Sequence, residues 1–126
     1  MKPRAKFLTP LRLQYIDGRT WKLEAPLEFR SVVAGCDLTV PAAFKTDFAS
    51  IPRLFWRLLP PAGAGEHSAY GPAAVIHDYL YRTKSLPRAV ADAVFLEAMA
   101  VLGVGYLTRY TFYWAVRAFG WPYYGR

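Results

Sequence analysis

The feature that most constrains the fold of this chain is the change in its hydrophobic period near residue 50. Upstream, apolar residues such as Leu11, Leu13 and Tyr15 occupy alternate positions, which is the period of a β-strand with one buried face. Downstream, apolar residues recur every three or four positions, which is the period of an amphipathic helix. Because each pattern forms an apolar face in only one of these structures, the two halves are predicted to differ in secondary structure.

The change of period predicts an α+β fold, with a small N-terminal antiparallel β-sheet followed by a cluster of three to four α-helices. We expect a single domain over residues 1–126, with mainly strands in 1–48 and mainly helices in 50–120. The pair Asp17-Gly18 is typical of a hairpin turn. From their start and stop signals, the predicted helices cover 50–59, 72–82, 87–102 and 107–119.

Composition narrows the class of protein. With 54% hydrophobic residues the chain is too apolar for intrinsic disorder. Its most apolar stretch, 89–106, is interrupted by Asp92 and Glu97, so we predict no transmembrane segment. The net charge of +7 suits an acidic partner, and because the basic residues are scattered singly, nucleic acid is only a secondary hypothesis. The single cysteine, Cys36, is predicted to be a small core residue.

Three polar residues are predicted to meet between two successive helices. His77 and Tyr81 lie four residues apart on one helical face, and Asp92 lies on an otherwise apolar face of the next helix. The short connection makes these helices antiparallel neighbours. Since an unpaired buried carboxylate costs several kcal/mol, we expect Asp92 to bind His77. Such a pair either fixes the helix packing or leaves His77 to act as a general base, with Asp92 and Tyr81 as the other catalytic candidates.

Two further aspartates are candidate metal ligands. Asp78 is adjacent to His77 and is predicted to form a surface ion pair with Arg82. Asp47 lies at the junction of sheet and helices, where it caps a helix, bonds a turn, holds a histidine or ligates a metal. If these aspartates bind a metal, calcium fits their oxygen ligands best. No other cofactor is predicted.

The last helix and the tail are crowded with aromatic side chains. Aromatic residues and arginine together are typical of protein interfaces and of helices at membrane surfaces, although core packing also uses such a face. The tail is predicted to pack on its own domain or to insert into a neighbour, which includes a second copy of the chain. The interface candidates are Tyr110, Trp114, Arg117, Trp121, Tyr123 and Tyr124.

An ordered series of motifs resembles a known family. The motifs are Val40-Pro41-Ala42-Ala43-Phe44-Lys45-Thr46-Asp47-Phe48-Ala49-Ser50-Ile51-Pro52-Arg53, then Ala73 to Tyr81, then Arg88 with Ala91-Asp92 and Phe95, and finally Ala115-Val116-Arg117. Over about residues 40–119 the chain is similar to the phage and prophage family known as domain of unknown function 1353. The resemblance implies a bacteriophage origin among late genes for virion assembly or lysis, and it implies no established activity.

A second, local resemblance is to the His-Asp motif of phospholipases A2. It rests on His77-Asp78-x-x-Tyr81, with Asp92 on the partner helix. The resemblance implies that His77 activates a water, Asp78 binds calcium and Asp92 orients the imidazole. The disulfide cysteines of those enzymes and their glycine-rich calcium loop are absent from this sequence.

These observations leave two hypotheses about function. The first is a virion-associated or assembly protein, located in the virion or the host cytoplasm, that docks on other phage structural proteins through a basic, aromatic surface. In that hypothesis the His77–Asp92 pair is structural. The second is a small hydrolase that acts on lipid or cell wall through His77.

Overall fold

The computed structural model describes residues 4–17, 20–46 and 71–124. Within these ranges six short strands precede three helices, which confirms the α+β fold class. The strands are β1 (Lys6–Phe7), β2 (Leu13–Asp17), β3 (Thr20–Leu23), β4 (Leu27–Ser31), β5 (Cys36–Val40) and β6 (Lys45–Thr46). The helices are α1 (Gly71–Thr83), α2 (Arg88–Val101) and α3 (Tyr106–Phe119), and a short 3-10 helix, Trp121–Tyr123, follows.

The strands form two three-stranded sheets rather than one. One sheet has the order β1-β4-β5 and the other β2-β3-β6, and all neighbours are antiparallel. The predicted hairpin is β2–β3, in which Leu13 lies opposite Leu23. Pro26 stands between β3 and β4, and a proline cannot donate a hydrogen bond to a sheet ladder. The chain therefore leaves one sheet and enters the other at this point.

The β4 strand supplies the clearest two-residue alternation. Leu27, Phe29 and Ser31 are buried, while the two residues between them are less so. The ring of Phe29 lies 4.5 Å from that of Phe7 on β1. Cys36, predicted to be a core residue, is exposed, because it is the first residue of β5 and lies beside the open turn that follows β4.

The helices match the predicted bounds to within one residue at each end. The helix predicted at 50–59 lies outside the described residues. The first helix, α1, is buried on most of its surface, since it packs against α2 and also against β4, β5 and β6. Small residues such as Ala73 and Ala74 permit this close approach. In the described part of the chain, no helix combines the length and apolarity needed to cross a bilayer.

A carboxylate of α2 fixes the turn that joins β4 to β5. Glu97 accepts hydrogen bonds from the hydroxyl of Ser31 at 2.6 Å and from the amides of Val32 and Val33 at 2.9 and 3.0 Å. The same hydroxyl accepts a bond from the amide of Ala34 at 2.9 Å. Glu97 thus binds the amides of an exposed turn and ties one sheet to the helices.

Removal of this carboxylate is expected to loosen the contact between sheet and helix. Glu97→Ala should lower the free energy of unfolding by about 2 kcal/mol, because bonds to a charged acceptor are lost. Glu24→Ala, at an exposed position, is the matched control and should change stability by less than about 0.5 kcal/mol. Urea unfolding followed by circular dichroism measures both, and equal effects would contradict the assignment.

Candidate functional site

A carboxylate at the junction of the three helices organises the most polar part of the interior. Asp92 Oδ1 lies 2.7 Å from His77 Nε2 and accepts a hydrogen bond from the hydroxyl of Tyr81 at 2.6 Å. Asp92 Oδ2 accepts a bond from Arg117 Nη1 at 2.9 Å and lies 4.0 Å from Arg88 Nε. We call these five residues the Asp92 cluster. It joins α1, α2 and α3 through one side chain.

Helix geometry explains how the cluster forms. His77 and Tyr81 are four residues apart on α1, so their ring centroids lie 4.2 Å apart, with the planes tilted by 42°, and both side chains reach the same oxygen of Asp92. Arg88 and Asp92 have the same spacing on α2. Arg117 lies near the end of α3, which packs on α2. The predicted contact between His77 and Asp92 is therefore present in the structure, and Tyr81 shares it.

Tight packing leaves the cluster little freedom. The ring of Phe95 lies 4.7 Å from that of His77, and the ring of Tyr124 meets that of Tyr81 at 5.4 Å, edge to face. A Cβ atom at Gly120 would lie 2.9 Å from the hydroxyl of Tyr81 and 2.5 Å from the carbonyl of Val116. Only glycine fits at that position without moving the end of α3 or the Tyr81 ring.

Arg88 caps the end of α3. Its Nη2 donates to the carbonyl oxygens of Val116 and Arg117 at 2.7 and 2.6 Å, and its Nε donates to the hydroxyl of Tyr81 at 3.2 Å. The last carbonyls of a helix lack partners within it and favour a positive charge. Arg88 therefore stabilises α3 from outside that helix.

The environment of the cluster favours an ionised Asp92 and a neutral Tyr81. Burial alone would raise the pKa of Asp92, but hydrogen bonds from His77, Tyr81 and Arg117, together with the electrostatic effect of the adjacent imidazole, outweigh it and lower that pKa. Burial, followed by the bond to Asp92, raises the pKa of the Tyr81 hydroxyl. Since an ionised carboxylate only accepts hydrogen bonds, Nε2 of His77 carries a proton.

Burial limits the chemistry that this arrangement can perform. The side chains of His77 and Asp92 have no exposed surface. A general base must come within hydrogen-bond distance of the proton that it removes, and a fully enclosed ring reaches only the groups packed against it. The geometry thus favours the structural interpretation of the pair, while the catalytic roles of His77, Asp92 and Tyr81 stay predictions.

Asp78 pairs with Arg82 as predicted, but the predicted surface location of the pair is wrong, because Asp78 is buried. Only 3% of the residue is exposed, because α1 packs against β6 on this side. Thr46 on β6 donates a hydrogen bond to Asp78 Oδ2 at 2.6 Å, and Arg82 Nε lies 3.7 Å from the same oxygen. Sequence reasoning missed Thr46, since the pairing of a short strand with a distant helix leaves no local pattern.

The calcium prediction is not tested by this structure. Asp47 lies outside the described residues. Within residues 4–17, 20–46 and 71–124, no three His, Cys, Asp or Glu side chains converge in a way that could hold a metal ion. Asp78 as a calcium ligand therefore stays a prediction.

The six interface candidates occupy different environments. Trp114 and Trp121 are exposed. Tyr110 is half-buried between the rings of two neighbouring tyrosines. The other three are partly buried and make contacts within the chain. Arg117 binds Asp92, Tyr123 packs on the core, and Tyr124 donates to the carbonyl of Leu86 at 2.8 Å.

Two residues that the sequence analysis did not single out prove important. Arg88 was recognised only as part of a motif, although its position four residues before Asp92 indicates that the two can pair. Leu107 is the most exposed large apolar residue in the described part of the chain. Its position seven residues before Trp114 places both on one face of α3.

Removal of the charge at position 92 is expected to weaken the fold far more than removal of a surface charge. Asp92→Asn leaves several donors without a charged acceptor, so the free energy of unfolding should fall by about 3–5 kcal/mol. Asp37→Asn is the matched control, because Asp37 pairs with Arg30 at 3.0 Å but their side chains are 48% and 42% exposed. Its cost should stay below about 1 kcal/mol. Similar losses in urea unfolding would rule out the proposed importance of the cluster.

The stabilisation by Asp92 is expected to depend on pH. Because its pKa is lower in the folded than in the unfolded chain, its contribution is present above the unfolded value of about 4 and is lost as the pH falls through the folded value. The difference in unfolding free energy between the wild type and Asp92→Asn should therefore narrow below about pH 4. Urea titrations between neutral and acidic pH measure it, and a constant or widening difference would contradict the lowered pKa.

Comparison with known proteins assigns the chain to a family. The family described as "Protein of unknown function (DUF1353)" matches residues 21–116, which include four of the five members of the Asp92 cluster, Arg117 being the exception. The "Uncharacterized protein y4jT" of Sinorhizobium fredii is 36% identical over 86 residues, or 68% of this chain and 25% of that protein. The chain thus matches about a quarter of the relative's length. No solved structure matches significantly. The chain belongs to the DUF1353 family.

Proposed function

We propose that this chain is a non-catalytic docking domain of a bacteriophage particle or of its assembly machinery. In this proposal it binds a neighbouring protein through the outward face of α3, and the Asp92 cluster holds that helix in place. The observation that carries the proposal is the exposure of large apolar side chains along one face of α3.

The docking face consists of exposed residues at alternating intervals of four and three along α3 and the following 3-10 helix. They are Leu107, Thr111, Trp114, Ala118 and Trp121. Leu107, Trp114 and Trp121 expose 80%, 62% and 68% of their surface. On a 3.6-residue period the four residues within α3 lie on one side, opposite the buried Phe112 and Val116.

This face differs from the outer surface of an ordinary helix. A helix that packs one side on a core normally presents charged and polar residues to water on the other side. The five residues of the docking face include no charged side chain. Contiguous exposed apolar side chains mark binding sites, and tryptophan contributes a large share of binding energy at protein interfaces.

Contacts within the chain order Trp114 of the docking face and the neighbouring tyrosine rings of α3. Arg109 lies over the rings of Tyr106 and Tyr110 at 5.3 and 5.8 Å, and its Nη1 donates to the carbonyl of Val104 at 3.0 Å. The ring of Tyr113 meets that of Trp114 at 5.1 Å. Side chains that are already ordered lose less conformational entropy when a partner binds.

The Asp92 cluster supports this function by positioning α3. Arg117 binds Asp92 from α3, and Arg88 caps the end of the same helix. These bonds fix the helix that carries the docking face against α2. The burial of His77 suits this structural role. The phage context rests on the family resemblance, and the net charge of +7 suits an acidic partner protein.

Substitutions on the docking face should abolish incorporation of the chain into particles without unfolding it. We expect Leu107→Ser and Trp114→Ser to lose the protein from purified phage particles or assembly intermediates, because the apolar contact is removed. Tyr15→Ser is the matched control, since Tyr15 is 55% exposed but lies on β2. Quantitative mass spectrometry of the particles measures incorporation, and circular dichroism confirms that each variant is folded.

Two results would contradict the proposal. In the first, the docking-face variants enter particles as efficiently as Tyr15→Ser. In the second, the purified chain hydrolyses phospholipid vesicles or peptidoglycan, and His77→Gln loses that turnover while its thermal stability stays close to that of the wild type. The second result would instead support the hydrolase hypothesis, in which the 2.7 Å contact between His77 and Asp92 orients the imidazole.

A further inference from the structure

The docking face has a pattern of side-chain sizes as well as an apolar character. Large and small residues alternate along it: Leu107, Thr111, Trp114, Ala118 and Trp121. Their spacing of four, three, four and three residues is the spacing of the apolar seam in a coiled coil. The two small residues leave gaps between the three large ones, and large side chains from a partner can fill such gaps.

The dimensions of this face suit a helix. The rise of 1.5 Å per residue places Leu107 and Ala118 about 16 Å apart along α3, and Trp121 extends the row to about 20 Å. A partner helix of about 14 residues would cover that length. An extended strand repeats its side chains every two residues and would match a row of gaps at helical spacing only poorly.

The charge of the helical part indicates which residues should flank the partner's apolar stripe. Residues 71–124 contain three acidic side chains, and all three are bound inside the chain: Asp78 by Thr46, Asp92 by its cluster and Glu97 by the β4–β5 turn. The same residues contain five basic side chains: Arg82, Lys84, Arg88, Arg109 and Arg117. Arg82, Arg88 and Arg117 lie within 4.0 Å of Asp78 or Asp92, and five basic minus three acidic side chains give residues 71–124 a net charge of +2. The field of this part of the chain is therefore positive.

We propose that the occupant of the docking face is an amphipathic α-helix of another protein, with an apolar stripe flanked by Asp and Glu. This inference rests on the proposed docking function and specifies its partner. A second copy of α3 is the poorer occupant, because α3 contains Arg109 and Arg117 and no acidic residue. Two such helices side by side would bring like charges together.

Two synthetic peptides of about four helical turns test this inference on the full chain. Both carry Leu and Ala at seam positions, one has Glu at the flanking positions and the other has Lys. We expect the Glu peptide to bind at least about tenfold more tightly than the Lys peptide. Added salt should weaken the binding of the Glu peptide. Fluorescence anisotropy of labelled peptide measures both affinities. Trp114→Ser should lower the affinity for the Glu peptide at least about tenfold, and Tyr15→Ser should leave that affinity unchanged.

Equal binding of the two peptides would overturn the proposed acidic flanks. Failure of the Glu peptide to bind at about 1 mM, or binding that Trp114→Ser does not affect, would overturn the helical occupant. None of these peptide results contradicts the docking function if the docking-face variants are still lost from particles. If those variants are incorporated normally, the docking function itself fails. Self-association of the wild type that Trp114→Ser abolishes would assign the face to a second copy and contradict the proposal.

Discussion

The burial of one carboxylate, that of Asp92, is the constraint on which the arrangement of the helices depends. An ionised carboxylate without partners in a protein interior costs several kcal/mol, so the fold must bring donors to it. No single helix can supply them all, because the carboxylate faces both neighbours of α2. His77 and Tyr81 arrive from α1, and Arg117 arrives from α3. A shift of either helix by one turn would leave a buried group unsatisfied.

The second carboxylate of α2 extends the same logic to the sheets. Glu97 follows Asp92 by five residues, which places it roughly 140° further round the helix axis. Asp92 therefore points toward the other helices, and Glu97 reaches the turn between β4 and β5. Asp92 and Glu97, which interrupt the most apolar stretch of the sequence, thus both accept hydrogen bonds from other parts of the chain. They direct the two sides of α2 to different partners.

The helices and the central contact of the Asp92 cluster could be predicted from the sequence, because the sequence patterns that determine them are local. The helix bounds follow from apolar period and from Gly and Pro, and the contact of His77 with Asp92 follows from two helical faces and a short connection. The division of the strands into two sheets was missed, as was the bond between Thr46 and Asp78. Both depend on which distant strands meet. The position of Cys36 was wrong because strand alternation does not reveal where a strand leaves the core.

The position of Arg117 shows why residue type alone could not separate the core from the surface on α3. Arginine and aromatic residues occur both in buried polar clusters and at interfaces, so Arg117 and Trp114 looked alike in the sequence. They are three residues apart, yet Arg117 turns toward Asp92 and Trp114 toward solvent. What distinguishes them is the carboxylate on the neighbouring helix.

Buried ion pairs are often no more stabilising than well-packed apolar groups. They do restrict the arrangement of the elements that carry them, because few arrangements give each buried charge its partner. In this chain the restriction falls on α3, through Arg117 and through the cap that Arg88 provides. A helix that presents tryptophan and leucine to water would bury them if it were free to rotate about its axis. The bond from Arg117 to Asp92 opposes that rotation, since turning the apolar side inward would pull the guanidinium away from its carboxylate. The inward position of Arg117 and the outward position of Trp114 are therefore linked through the same contact.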